Sequence, residues 1–151
     1  MDNKQLEELV KSHSPEAEVK PGKQYLEVTV ATSSLHSLAK LLRDNEETRF
    51  DFLFCLSGVD WGQELGIIYH LRSTVHNHTI VLKTRIADRK NPKVDTLSDL
   101  WETADFHERE VYDLLGIKFI NHPDLRRLFL DSSWGFPLRK DYVDDINIVT
   151  R

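Results

Sequence analysis

Residues 50–86 read FDFLFCLSGVDWGQELGIIYHLRSTVHNHTIVLKTRI, and the pattern of this stretch decides the fold. Phe50 to Val59 is a nearly continuous apolar run, suited to a strand at the centre of a sheet. Gly62 and Gly66 punctuate a turn, and Ile67 to Arg72 read as the next strand. Beyond the polar loop Val75-His76-Asn77-His78, the residues Ile80, Leu82, Thr84 and Ile86 line one face of a third strand. Connections this short join neighbouring strands antiparallel, so the three form a meander, which Asn91-Pro92 closes.

Working outward, Leu6, Leu9 and Val10 fall at helical spacing, and Ser14-Pro15 stops that helix. Pro21-Gly22 is a turn signal before Leu26, Val28 and Val30, which alternate with Glu27 and Thr29 as in a half-buried strand. Ser33 or Ser34 is expected to cap a helix with the stripe Leu35, Leu38, Leu41 and Leu42. Past the meander, Thr96 is expected to cap a last long helix, with Asp99 in its first turn. Its stripe is Leu97, Leu100, Trp101, Ala104, Val111, Leu114 and Leu115. Asp105, Arg109 and Asp113 stand four apart and can form a ladder of ion pairs, each worth about 0.2–0.5 kcal/mol on an exposed face. Gly116 followed by Ile117 reads as a left-handed C-cap. The order helix, strand, helix, meander, helix predicts a two-layer α+β fold, with helices packed on a mixed, largely antiparallel sheet. The predicted organisation is one domain over 1–117 and an extended C-terminal arm over 118–151, which binds a partner and is not an independent domain.

Composition narrows the function classes. Hydrophobic residues make up 40% of the 151 and charged residues 30%, ordinary for a globular protein. A net charge of −5 argues against nucleic acid as partner, which would call for a basic excess. No run approaches the roughly 18 apolar residues of a membrane span. Met1-Asp2-Asn3-Lys4-Gln5 lacks the basic start and apolar core of a secretion signal, so a cytoplasmic chain is expected, meeting a membrane only through a partner. The single cysteine, Cys55, excludes an internal disulfide and a self-contained iron–sulfur cluster. Its neighbours Phe52-Leu53-Phe54 and Leu56 predict a buried structural thiol.

The last third has a different character. Between Glu108 and Asp145 six basic and eight acidic residues are interleaved with aromatics, prolines and leucines. Paired charges among apolar anchors are what a segment laid along another protein surface requires. His122-Pro123-Asp124 and Phe136-Pro137 fix the backbone direction, and Leu125, Phe129, Trp134 and Leu138 can anchor. Glu108 is the sharpest single residue, because the apolar stripe from Ala104 to Val111 passes through it or His107. A carboxylate there must be paired or raised in pKa. The expected partner is an arginine of the arm, Arg126, Arg127 or Arg139, since guanidinium suits bidentate carboxylate geometry. His107-Glu108 begins like a zinc-protease HExxH helix, but the fifth position is Val111, so the second ligand is missing. His76 and His78 flank Asn77 without a third ligand. There is no GxGxxG, P-loop or GxSxG elbow. An acid–base enzyme using Glu108, His107 and Asp113 is the alternative from a different class.

Three ordered motifs carry a family likeness. They are Glu108-Arg109-Glu110 with Asp113 and Gly116-Ile117, then His122-Pro123-Asp124-Leu125-Arg126-Arg127, then Gly135-Phe136-Pro137-Leu138-Arg139-Lys140-Asp141. Together they closely resemble the C subunit, the 30-kDa-type subunit, of proton-translocating NADH:quinone oxidoreductase (respiratory complex I). Looser matches are Arg49-Phe50-Asp51, Gly58-Val59-Asp60 and Tyr69-His70-Leu71. Phe136 and Asn121 stand where that family usually has histidine and glycine. The resemblance implies a non-catalytic scaffold subunit of the hydrophilic arm, at the cytoplasmic face of the bacterial inner membrane. It implies no cofactor in this chain, with FMN, iron–sulfur clusters and quinone in partner subunits, and neighbours that include the D, B and I subunits of complex I. A corresponding subunit of a membrane-bound hydrogenase complex is the alternative within the same family. The residues expected to make partner or assembly contacts are Glu108, Arg109, Glu110, Asp113, His122, Asp124, Arg126, Arg127, Trp134, Arg139, Lys140 and Asp141.

Overall fold

In the computed structural model, which describes residues 3–22 and 24–123 together with Leu125, Phe136 and Arg139, the stretch 50–86 forms three antiparallel strands. They are β3 (Phe52–Asp60), β4 (Leu65–Ser73) and β5 (His78–Ile86). Before them come α1 (Asn3–His13), β1 (Glu18–Pro21), β2 (Leu26–Val30) and α2 (Thr32–Asp44). After them come β6 (Lys93–Asp95), α3 (Thr103–Leu115) and β7 (Lys118–Ile120). The main sheet has the order β1-β2-β5-β4-β3, and only the β2–β5 pair is parallel. β6 and β7 form a separate parallel pair. The fold is α+β, as the element order predicts.

Alternation along the strands explains the layering. Ile67, Tyr69 and Leu71 of β4 and Ile80, Leu82 and Ile86 of β5 are buried on one face. The stripes of the helices, such as Val10, Leu38 and Val111, join them in one core. Helix α3 lies close over β3 because Gly58 has no side chain. A Cβ there would sit 2.5 Å from Leu115 Cδ1 and 2.9 Å from Val111 Cγ1. The segment before α3 also closes on this strand, with Trp101 Nε1 donating to the Phe50 carbonyl at 3.0 Å and Thr103 Oγ1 to that of Leu53 at 2.9 Å. Among the described residues no helix is long and apolar enough to cross a membrane.

Several expectations need correction. The apolar run from Phe50 to Val59 is an edge strand, not the central one. It is apolar because Leu53 and Leu56 face the core while Phe52 and Phe54 face outward. A bulge between Leu53 and Cys55 shifts the alternation and brings Cys55, half-exposed, onto the outer face. Cys55 is therefore not a buried core thiol. Neither Ser33 nor Ser34 caps α2. Ala31 holds the cap position without a side-chain bond, and Ser34 Oγ donates to Glu16 instead. Thr96 does not cap α3 either, for it follows β6, and tight turns over Leu97 to Trp101 separate it from the helix. Residues 118–120, expected to begin the arm, pair with β6.

The close approach at Gly58 gives a direct test. Gly58→Val should overpack the seam under Leu115 and Val111 and lower stability by about 1–3 kcal/mol. Chemical denaturation should show this as a lower midpoint with an unchanged slope.

Candidate functional site

The residues singled out by the sequence gather on α3 and the chain just after it. At about 100° per residue, Glu108 falls on the inward stripe with Ala104 and Val111, and it is fully buried. Thr96 Oγ1 lies 2.5 Å from Glu108 Oε1 and 3.0 Å from Oε2, and the Leu97 N–H donates to Oε2 at 3.2 Å. Of the three arginines expected as partners, only Arg139 is among the described residues, and it does not reach this carboxyl. Among the described residues no cation pairs with it.

Burial pushes the Glu108 pKa up to about 8, against the lowering effect of the Thr96 and Leu97 hydrogen bonds, and nearby Asp105 and Asp99 add to the rise. At neutral pH the group keeps its proton. The carboxyl accepts from the Thr96 hydroxyl and from the Leu97 N–H, and in its neutral form it leaves no buried charge at this point of α3. Tyr69 stands beside it with a buried hydroxyl that has no hydrogen-bond partner among the described residues, and burial followed by the Glu108 charge drives the phenol well above its usual pKa.

The other α3 residues do not form the expected ladder. Asp105 Oδ1 lies 3.0 Å from Nε2 of His122, whose side chain is completely buried and is also 3.2 Å from the Asp105 carbonyl oxygen. Asp113 is fully buried, Glu110 and Arg109 are half-buried, and the Arg109 Nε has no hydrogen-bond partner among the described residues. Glu108 and Asp113 project about 140° apart around the helix. His107 packs edge-on against exposed Phe106. These three candidates for acid–base chemistry therefore share no cleft.

Helix α3 ends at Gly116, whose φ of 79° is the left-handed cap expected from the sequence. The Phe136 ring packs where a Gly116 Cβ would be, at 2.7 Å, and sits 6.2 Å from Tyr112. Arg139 stacks over Phe136 at 5.2 Å and donates Nε to the Leu115 carbonyl at 2.6 Å, placing a cation at the negative end of the helix. Its Nη1 donates to the Arg89 carbonyl at 3.0 Å. Arg89 in turn holds Asp60 through two bonds of 2.6 and 2.9 Å. Arg139, one of the residues expected to contact a partner, thus also bonds within its own chain. Asp124, Arg126, Arg127, Trp134, Lys140 and Asp141 lie outside the described residues. Sequence reasoning missed Thr96 as the Glu108 partner and the Asp60–Arg89 pair. The second joins residues 29 apart and leaves no local spacing signal. The loop histidines serve the fold separately, His76 Nε2 lying 2.9 Å from the Glu46 carbonyl oxygen while His78 packs on Phe50.

The raised Glu108 pKa has a definite sign. The folded state holds the proton up to about pH 8, whereas the unfolded chain loses it near the ordinary carboxylate value. The stabilising proton is fully in place below pH 4.5 and its contribution falls away as pH rises towards 8. Glu108→Gln keeps the shape and both hydrogen-bonding roles without the ionisation. It should match the parent near pH 4.5 and exceed it at pH 7 by on the order of 3 kcal/mol. Urea titrations at the two pH values measure this, and a variant destabilised at both would show that a charge is needed.

Residues 28–145 match the model of the family described as respiratory-chain NADH dehydrogenase, 30 Kd subunit. The C/D subunit of the NADH-quinone oxidoreductase of Phocaeicola vulgatus is 46% identical over 122 residues, which are 80% of this chain and 23% of that protein. The C subunit of the enzyme from Chloroherpeton thalassium is 42% identical over 109 residues, 70% of this chain and 45% of the relative. Its counterpart from Roseiflexus castenholzii is 43% identical over 120 residues, 77% and 68% respectively. The chain thus spans less than a quarter of the C/D relative. A chain from the structure of the membrane-bound sulfane sulfur reductase, an archaeal respiratory membrane complex, shares the fold with a TM-score of 0.78 at 23% identity, over 92% of this chain and 84% of that one. With the matched segment running from β2 through α3 and beyond, the chain belongs to the 30-kDa subunit family of respiratory-chain NADH dehydrogenases.

Proposed function

We propose that this chain is a non-catalytic scaffold subunit in the hydrophilic arm of a proton-translocating NADH:quinone oxidoreductase, seated at the cytoplasmic face of the inner membrane. The observation that carries the reading is the family match over 28–145, which takes in α3 and its buried carboxyl. A scaffold role is supported by the state of Glu108. It is sealed from solvent and neutral at working pH, and its partners are Thr96 and Leu97 of its own chain. A general acid must reach its substrate's proton, and this one reaches only the interior. The D subunit is the proposed immediate neighbour. A relative that bears the name C/D and of which this chain spans 23% supports that choice, because fused partners are held side by side. The B and I subunits are proposed as further contacts. FMN, iron–sulfur clusters and quinone belong to partner subunits of the complex, and electrons do not pass through this chain. Its task is to hold its neighbours in register so that electron-transfer distances stay short.

Tagging the full chain in its native host tests this. It should copurify from solubilised membranes with the D subunit and with NADH-driven quinone reduction, and its deletion should abolish the assembled complex. Reduction driven by hydrogen instead of NADH would assign it to the hydrogenase-type alternative. Purified alone, the chain should be colourless. Recovery only as a small species without partners, or a stoichiometric flavin or cluster absorbance in the isolated chain, would overturn the proposal.

A further inference from the structure

The apolar stripes of all three helices join the core on one face of the five-stranded sheet, and the strand register maps the other face. Successive rows across it hold Phe52 with Arg72, Cys55 with His70 and Val81, Ile68 with Lys83, and Gly66 with Arg85. Solvated sheet faces are usually polar at such positions. Here the middle is apolar. Phe52 and Phe54 are 45% and 40% exposed with their rings 6.2 Å apart, and Phe54 lies 5.5 Å from the His70 ring. Tyr25 meets the same imidazole edge-on at 6.5 Å, and a trough of about 550 Å³ between β2, β4 and β5 is lined by Tyr25, Ile68, His70 and Val81.

The charges on this face are placed unevenly. In the middle, Glu27 and Lys83 neutralise each other at 2.5 Å. At the two ends stand arginines that no carboxylate meets among the described residues. Arg72 bonds to Asn77 and Thr79, and Arg85 lies 5.7 Å over the Trp61 ring. Six residues of β4 separate the two rows, a distance of about 20 Å. We infer that this face docks a neighbouring subunit through a segment of apolar or aromatic side chains flanked by two carboxylates, one meeting Arg72 and the other Arg85. The inference rests on the assembly reading and names a surface for it on the sheet face opposite the helices. Apolar anchors in the middle with charges at the rim are the usual anatomy of such contacts. A second copy is a poor occupant, since pairing this face with itself about a twofold axis sets arginine against arginine.

Cys55 is the sole cysteine, half-exposed in the row of His70, so its alkylation reports on the face directly. With a maleimide as probe, the rate should fall at least tenfold between the isolated full chain and the assembled complex. Phe54→Ser and Arg85→Glu change exposed side chains and should melt like the parent, yet their yield of assembled complex should drop at least tenfold. Unchanged Cys55 reactivity on assembly, or normal assembly of both variants, overturns the docking surface and leaves the assembly reading standing. If the parent chain itself never enters a complex, the assembly reading falls and this surface with it. Concentration-dependent dimers of the isolated chain with Cys55 already protected would give the face to a second copy and likewise overturn the proposal.

Discussion

The close seating of α3 on β3 is the constraint from which the rest of the molecule follows. A glycine at position 58 lets Leu115 and Val111 come within side-chain contact of the strand backbone. That depth brings Glu108 beneath the surface, where water cannot solvate a charge. Burial there favours the protonated form, and among the described residues no cation pairs with it. The same seating directs the C-terminal carbonyls of α3 towards Arg139 and leaves Gly116 bare for the ring of Phe136. One helix–strand contact thus sets the interior electrostatics and also the point at which the following chain is held.

The parts of the fold legible in the sequence are those governed by period. The alternation of Ile80, Leu82 and Ile86, the helical stripe of Leu35, Leu38 and Leu42, and the glycine at the end of α3 all appear where simple spacing places them. What spacing does not reveal depends on contacts between distant residues. An apolar run marks a strand but not its place in the sheet, and β3 is apolar on both faces for different reasons, core packing on one and uncovered aromatics on the other. Threonine suits a helix cap, yet the Thr96 hydroxyl goes to a carboxyl twelve residues away. The position of Glu108 on the stripe is readable. Its partner is not, because a buried acid can be satisfied either by a counter-charge or by neutrality, and spacing does not distinguish the two.

The two surfaces of the sheet are built on different physical terms. The inner face is sealed by aliphatic and aromatic packing, with the Glu108 carboxyl buried among it. The outer face leaves aromatic rings uncovered, and its central ion pair cancels its own field. One face thus keeps the domain in shape, while the other presents rings to its surroundings.

Sheet edges are a hazard for any protein that must wait for its partners. An open edge offers unpaired amides and carbonyls to the next copy and seeds aggregation. Here the Trp101 indole donates to the Phe50 carbonyl just before β3 and the Thr103 hydroxyl to the Leu53 carbonyl within it, so part of this edge is already occupied. At the opposite edge β1 is only four residues long, carries Glu18 and Lys20, and ends in Pro21, a poor template for further pairing. Both edges are thus poor templates for the next copy, and the sheet resists growth by strand addition.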